Sequence, residues 1–187
     1  MNQGNISNTE AQYDAVINQC LDIFTKKTTD YGTAWRVLRP ISIIDQIYIK
    51  AQRIRTIQEK GEQRVGDDIR GEFIGIINYG IIGLIQLELD ADAPEELEVK
   101  QTIERYSHHA NAARRLMQDK NHDYGEAWRS MSQESFVDLI LMKIQRVKQI
   151  LANKGQTLIS EGIDANYFDM INYSVFALIL SADKSQN

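Results

Sequence analysis

The chain has little cysteine, proline or glycine, and it has no long hydrophobic run. Cys20 is the one cysteine among 187 residues, so no disulfide can form within the chain, and we expect a reducing, cytoplasmic location. Two prolines and eleven glycines leave little room for a disordered linker. The most apolar stretch, residues 73–87, is shorter than a membrane span, so we expect a buried helix and no membrane partner.

Excess positive charge is absent as well. The formal net charge of −5 does not favour a surface for polymeric nucleic acid or acidic lipid. The first ten residues are polar and carry no apolar signal core. With 43% hydrophobic and 25% charged residues, the composition is typical of a globular protein.

What the chain does contain is an internal repeat. The motif Asp-Tyr-Gly-x-Ala-Trp-Arg occupies residues 30–36 and returns at residues 123–129, and the two copies hold both tryptophans of the chain. The same register aligns Lys27, Lys50 and Arg53 with Lys120, Lys143 and Arg146. One residue of insertion then aligns Ile-Asn-Tyr at 77–79 with 171–173. We therefore predict a first repeat at residues 1–93 and a second at 94–187, together forming one compact domain.

The apolar spacing is helical almost throughout, and no alternation typical of strands is sustained. We predict helices starting after Thr9 as N-cap, then at 42–60, 68–89, from Pro94, at 135–154 and at 163–181, with a boundary at Ala91 to Pro94. Gly75, Gly80 and Gly83 inside the third helix favour close approach of another helix. The predicted fold is all-α, with two tandem three-helix repeats packed as a pseudo-twofold helical bundle.

The repeated loop has a structural interpretation and a functional one. Its aspartates could cap a helix or form an Asx-turn, its glycines supply a special backbone angle, and its tryptophans plug the core. Arg36 and Arg129 need an anionic partner, which is either the nearby aspartate or a ligand phosphate. Tyr124 and Trp128 are candidates to contact a nucleobase.

The predicted second and fifth helices begin alike. Ser42 with Asp45, and Ser135 with Asp138, have the spacing of a capping box. Two basic pairs follow, each on one helical face: Lys50 with Arg53, and Lys143 with Arg146. These pairs are suited to holding a phosphate, and pairing with acids of the neighbouring repeat is the alternative.

Three acids set the second repeat apart. Glu161, Asp164 and Asp169 align with Asp67, Arg70 and Gly75 of the first repeat, so two of the three acids have no counterpart. Carboxylates of this kind suit Mg²⁺, with phosphate completing the coordination shell. We predict a magnesium site at these acids. The alternative for Glu161 and Asp164 is that they are first-turn acids of a helix, which would leave Asp169 unexplained.

The loop motif, the Lys-x-x-Arg pairs and the Asp-Met-Ile-Asn-Tyr stretch at 169–173 resemble the nucleotide modification-associated domain family, type one, in its tandem bacterial form. The resemblance covers residues 10–182. It implies association with systems that make or handle modified nucleotides, and it carries no established reaction. Glu161-x-x-Asp164 is also similar to one acidic motif of the all-α MazG-type pyrophosphatases, whose other motif, Glu-Glu-x-x-Glu, is absent.

Two functions follow from these residues. The first is a nucleotide-binding protein, acting as a Mg²⁺-dependent phosphohydrolase if it is an enzyme, whose ligand is a nucleotide or another phosphate-bearing small molecule. No catalytic residue is assigned; the predicted phosphate and base contacts are Arg36, Lys50, Arg53, Tyr124, Trp128, Arg129, Lys143 and Arg146. The alternative is a non-catalytic helical interaction module with internal salt bridges. Apolar faces of the third and sixth helices suggest a homodimer or extensive core packing.

Overall fold

The computed structural model describes residues 3–61, 68–90 and 92–185, and the side chains of residues 8–61, 68–90 and 92–183. Asp67 and Ala91 lie outside the described residues. The described chain is helical, as predicted, and contains six α-helices. They are α1 (Gln3–Tyr31), α2 (Pro40–Lys60), α3 (Ile69–Glu88), α4 (Val99–Tyr124), α5 (Gln133–Ala152) and α6 (Ile163–Ser185).

Several helix ends follow the sequence signals. Helix α2 ends at Gly61, which has a left-handed φ of 65°, and α3 starts after Asp68, whose side chain accepts a hydrogen bond from the Arg70 amide. The apolar run at 73–87 is the buried part of α3, as predicted. Among the described residues, no helix combines the length and apolarity that crossing a membrane requires.

Other helix ends differ from the predictions. Helix α1 begins at Gln3, so Thr9 is a buried residue within it and caps nothing. Helix α4 begins after Glu98, whose carboxylate accepts from the Gln101 amide, and Pro94 lies outside the helix. Helix α5 starts after Ser132, which caps the Ser135 amide at 3.2 Å. The predicted capping boxes are therefore wrong, because Ser42 and Ser135 both lie inside their helices.

Helices α3 and α6 form the centre of the bundle. Helix α2 packs on α3, α5 packs on α6, and α2 and α5 also pack on each other, while α1 and α4 lie across the central pair. A Cβ on Gly80 would lie 2.8 Å from Cγ1 of Ile171, and one on Gly83 would overlap the ring of Tyr167. The predicted close approach of a second helix to these glycines is thus confirmed.

Two reciprocal hydrogen bonds tie the repeats together. Tyr13 on α1 donates to Oδ1 of Asn172 on α6, and the equivalent Tyr106 on α4 donates to Oδ1 of Asn78 on α3, both at 2.7 Å. Asn172 also donates to the Ala113 carbonyl at 3.2 Å, and Asn78 to the Cys20 carbonyl at 3.3 Å. Each buried asparagine therefore joins one helix of its own repeat to one helix of the other.

Ion pairs at the α2–α5 interface repeat this exchange near the surface. Asp45 pairs with Lys148 at 2.7 Å, and the equivalent Asp138 approaches Arg55 at 3.8 Å. Arg55 and Lys148 are themselves equivalent in the repeat register. The repeated aspartates of α2 and α5 thus have an inter-repeat role, and the two repeats are related by the expected pseudo-twofold.

Replacing Asn172 with alanine tests the importance of the buried exchange. The change leaves the Tyr13 hydroxyl buried without its acceptor and removes the additional bond that the Ala113 carbonyl accepts from Asn172. We expect a loss of about 2–3 kcal/mol in the free energy of unfolding, measured by urea denaturation. Asn78→Ala should cost a similar amount, and Asn111→Ala, at an exposed position of α4, should cost little. A loss below about 0.5 kcal/mol for both buried variants would contradict this role.

Candidate functional site

The repeated loop performs the same backbone task in both copies. Gly32 and Gly125 end α1 and α4 with φ of 63° and 61°, and a short 3-10 turn then carries the tryptophan and the arginine. Trp128 is 7% exposed, so it is the predicted core plug, whereas Trp35 is only partly buried. The aspartates lie in the last turn of the preceding helices and are exposed, so the prediction that they cap a helix is wrong.

Both loop arginines are engaged by the protein itself. Arg129 donates to Glu126 at 3.0 Å and to Gln12 at 2.8 Å, and its guanidinium lies 4.4 Å from the centre of the Trp128 ring. Its acidic partners are therefore Glu126 and, at 3.4 Å, Asp183, and the predicted Asp123 is not among them. Arg36 donates to the carbonyls of Pro94 and Ala93 at 3.1 and 2.9 Å, which fixes the connection between the repeats. Neither arginine is part of the lysine clusters of the two repeats that are described in the next paragraphs.

In the second repeat, a buried carboxylate occupies the space between two lysines. Asp169 on α6 accepts from Lys120 on α4 at 2.6 Å through Oδ1 and from Lys143 on α5 through Oδ2. Burial alone would raise the pKa of Asp169, but the two lysine hydrogen bonds and charges lower it overall. Burial likewise opposes the charge of Lys120, and the Asp169 hydrogen bond raises the Lys120 pKa overall. Three helices thus meet at this ion cluster.

The three acids predicted to hold Mg²⁺ are not brought together. Glu161 and Asp164 are exposed at the start of α6, whereas Asp169 is buried with both oxygens bonded to lysine. Among the described residues, no group of three acid, histidine or cysteine side chains is arranged to hold a metal ion. The sequence could not show this, because the opposing Lys120 comes from a different helix. Arg146 is exposed, and its charge acts on Tyr173 beside the same cluster.

The equivalent region of the first repeat is an open cleft of about 670 Å³. Its floor is α3 at Gly75, which stands where the second repeat has Asp169. Lys50 crosses this glycine, since an added Cβ would lie 2.8 Å from Cδ and Cε of Lys50. Lys50 then reaches Glu72 at 3.6 Å, and Arg53 also bonds to Glu72. The acid that binds the basic pair in the first repeat, Glu72, therefore lies about one helical turn before the position equivalent to Asp169.

One lysine of the first repeat has no counterpart to the Asp169 carboxylate that binds Lys120 in the second repeat. Lys27, the equivalent of Lys120, lines the cleft and has no ion-pair partner among the described residues. Lys50 lines the same cleft. Two ammonium groups therefore border a cavity that no carboxylate fills at the position of Asp169.

The two tryptophans also differ, because the one in the second repeat has partners within the protein that the one in the first repeat lacks. Trp128 stacks on Phe176 with ring centres 4.2 Å apart and donates from Nε1 to Oδ1 of Asn121 at 3.1 Å. Ile82 and Thr28 stand at the equivalent positions of the first repeat. Nε1 of Trp35 is shielded from solvent and has no hydrogen-bond partner in the described part of the chain. The first repeat thus lacks both the stacking ring and the acceptor.

Two tyrosines complete the lining of the cleft. Tyr79 is half-buried, and burial, followed by the nearby Tyr31, raises its pKa. Tyr31 is 58% exposed at the rim, and its equivalent Tyr124, predicted to contact a base, is 73% exposed. The predicted phosphate and base contacts came from both repeats, and of the residues that line the cleft only Lys50 was among them. Lys27, Trp35 and Tyr79 were not assigned as contacts. The repeat register could have indicated Lys27, since it aligns with Lys120.

The role of Asp169 can be tested through the dependence of stability on pH. Its folded-state pKa is lowered, so its contribution is complete above the unfolded-state pKa and is lost as pH falls through the folded-state pKa. We expect Asp169→Asn to lose about 3 kcal/mol of unfolding free energy at pH 7, because two lysines lose their buried counter-charge. The difference between wild type and variant should shrink below about pH 4. An unchanged difference in urea denaturation at pH 7 and pH 3 would contradict this assignment.

The two equivalent regions coincide with a known sequence family. The family model described as Nucleotide modification associated domain 1 matches residues 27–87 and residues 120–180. The matches begin at Lys27 and Lys120, and they include nearly all of the cleft and the ion cluster. No curated protein and no solved structure matches the chain significantly. The chain therefore belongs to the Nucleotide modification associated domain 1 family and carries two copies of its domain.

Proposed function

We propose that the protein binds a phosphorylated nucleoside, and that the binding site is the cleft of the first repeat. The observation that carries this proposal is the pair Lys27 and Lys50 bordering a cavity of about 670 Å³, together with aromatic side chains. Clefts of about 300–1,000 Å³ are the usual size for small-molecule and cofactor sites. The family description, which associates the domain with nucleotide modification, points to the same class of ligand.

The lysines would hold the phosphate. Lys27 brings a charge that no described residue neutralises, whereas Lys50 shares Glu72 with Arg53. Because the carboxylates of Asp68 and Glu72 also line the cleft, Lys27 is the cation that is available to an anionic ligand. A phosphate presents several strong acceptor oxygens to such groups, and hydrogen bonds between ionised partners are the strong ones. Binding therefore supplies the counter-charge that Asp169 supplies in the second repeat.

The aromatic side chains would hold the nucleoside. Tyr31, Trp35 and Tyr79 line the cleft, and aromatic rings stack on any nucleobase because each base has a π-face. The indole Nε1 of Trp35 has no acceptor in the described protein and is shielded from solvent, so it would donate to a ligand once the indole turns towards the cleft. In the second repeat Trp128 is instead stacked on Phe176 and bonded to Asn121, and Asp169 fills the position between the lysines. The expected stoichiometry is one ligand per chain.

Magnesium enters the proposal with the phosphates. The carboxylates of Asp68 and Glu72 line the same cleft, although Glu72 is already paired with Lys50 and Arg53. A Mg²⁺ ion brought by a di- or triphosphate would meet these oxygens, which are ligands of the type that it prefers. Phosphohydrolase activity would use that ion, so phosphate release should be measured in the same samples. Binding in the absence of Mg²⁺ rests on the lysines alone.

Lys27→Met tests the proposal with little risk to the fold, because Lys27 is exposed and has no ion-pair partner among the described residues. We expect nucleoside monophosphates to bind the wild type and to bind this variant about tenfold to a hundredfold more weakly, since one charged hydrogen bond is lost. Calorimetric titration at low ionic strength, with and without Mg²⁺, measures the effect.

The matched control is Lys26→Met, which removes the same charge from the adjacent position. Lys26 is exposed and pairs with Asp22 at 2.6 Å, away from the cleft. Its affinity should equal that of the wild type. Separate titrations with free nucleosides and with inorganic phosphate measure how much the nucleoside and the phosphate each contribute to the affinity. No binding of any nucleoside mono-, di- or triphosphate at millimolar concentration would rule the proposal out and favour a helical interaction module.

A further inference from the structure

The second repeat contains the same site in a filled form. We infer that the Asp169 carboxylate occupies there the position that an anionic ligand group occupies in the first repeat, and that Gly75, which has no side chain, leaves this position to the flexible end of Lys50 and to the ligand. The inference rests on the proposed binding function of the cleft and specifies where its ligand lies. It makes Gly75 a determinant of specificity, although glycine has no side chain to contact a ligand.

The argument begins with the common frame. The reciprocal Tyr13–Asn172 and Tyr106–Asn78 bonds place α1, α3, α4 and α6 in equivalent relations, so equivalent backbone positions face equivalent parts of the bundle. In the second repeat, two lysines from two different helices converge on one carboxylate. Their equivalents, Lys27 and Lys50, come from the equivalent helices α1 and α2 and border the cleft. Of this group of two lysines and one carboxylate, the first repeat lacks only the carboxylate at the position of Asp169.

The geometry of Asp169 defines the ligand group. Each carboxylate oxygen accepts from one lysine, so the position suits an anion with at least two oxygens, facing two ammonium groups. A terminal phosphate has this form. In the first repeat Lys50 lies over Gly75 and leans to Glu72, and its flexible end is the part that must turn to meet the ligand.

The tryptophan environment defines a second ligand group. Asn121 supplies the acceptor for Trp128 in the second repeat, and Thr28 stands at the equivalent position without accepting from Trp35. A burial of the indole N–H without an acceptor costs free energy, which a ligand oxygen or nitrogen would recover. The ligand class is therefore a phosphate joined to a group that carries a hydrogen-bond acceptor, such as a nucleobase carbonyl.

Gly75→Asp tests the inference, with Gly75→Asn as the control of equal size and similar helix propensity. The new carboxylate should fall between Lys27 and Lys50, as Asp169 does between Lys120 and Lys143. We expect Gly75→Asp to melt at a higher temperature than Gly75→Asn without ligand. We also expect it to bind nucleoside monophosphate at least about a hundredfold more weakly than the wild type. The melting difference should become smaller when Lys27→Met is added to both variants, because only Lys50 then faces the carboxylate.

The outcomes separate this inference from the proposed function. If Gly75→Asp melts below Gly75→Asn or fails to fold, the carboxylate does not fit between the lysines and the inference is overturned. It is also overturned if Gly75→Asp binds nucleotide as the wild type does. If the wild type binds no nucleotide, the proposed function fails. The melting comparison then still decides whether the cleft is built around an anion at this position.

Discussion

The fold depends on a buried hydrogen bond that is made twice in opposite directions. Tyr13 and Tyr106 each donate to an asparagine of the other repeat. Each asparagine in turn donates to a backbone carbonyl of its own repeat. A buried amide is costly unless its groups are paired, so this arrangement fixes which helices face each other. The glycines at 80 and 83 let α3 and α6, the helices that carry the two asparagines, approach closely. Neither repeat satisfies these groups alone.

Because these bonds hold the helices of both repeats in the same arrangement, the two repeats can differ in their charged residues and still share one fold. The lysines are retained in both repeats, while the carboxylate that faces them in the second repeat becomes Gly75 in the first. Ile82 and Thr28 replace the Phe176 and Asn121 that hold the second tryptophan. Each change removes a contact that the second repeat makes within the protein, and Lys27 and Lys50 border the cleft that remains. The proposed binding site therefore lies in the repeat where these internal contacts are missing.

Much of the fold could be predicted from the sequence because its signals are local or repeated. Helical periodicity gave the six helices, the duplicated motif gave the two repeats, and the interior glycines indicated the close helix pair. The helix starts at Gln3, Val99 and Gln133 were missed because several residues nearby have equal capping ability. The predicted grouping of Glu161, Asp164 and Asp169 differs from the structure for another reason. An aspartate inside a helix looks the same in the sequence whether it faces a metal or two lysines, and Lys120 lies far from Asp169 along the chain.

The two tryptophans allow the central claim to be measured directly, since each repeat contains one. In a ¹⁵N-labelled sample the two indole N–H groups give separate resonances, which Trp35→Phe assigns. Adding a nucleoside monophosphate should shift the Trp35 resonance, because that indole has no acceptor among the described residues, and should leave Trp128, bonded to Asn121, nearly unchanged. A shift of Trp128 with Trp35 unmoved would contradict the assignment of the binding site to the first repeat.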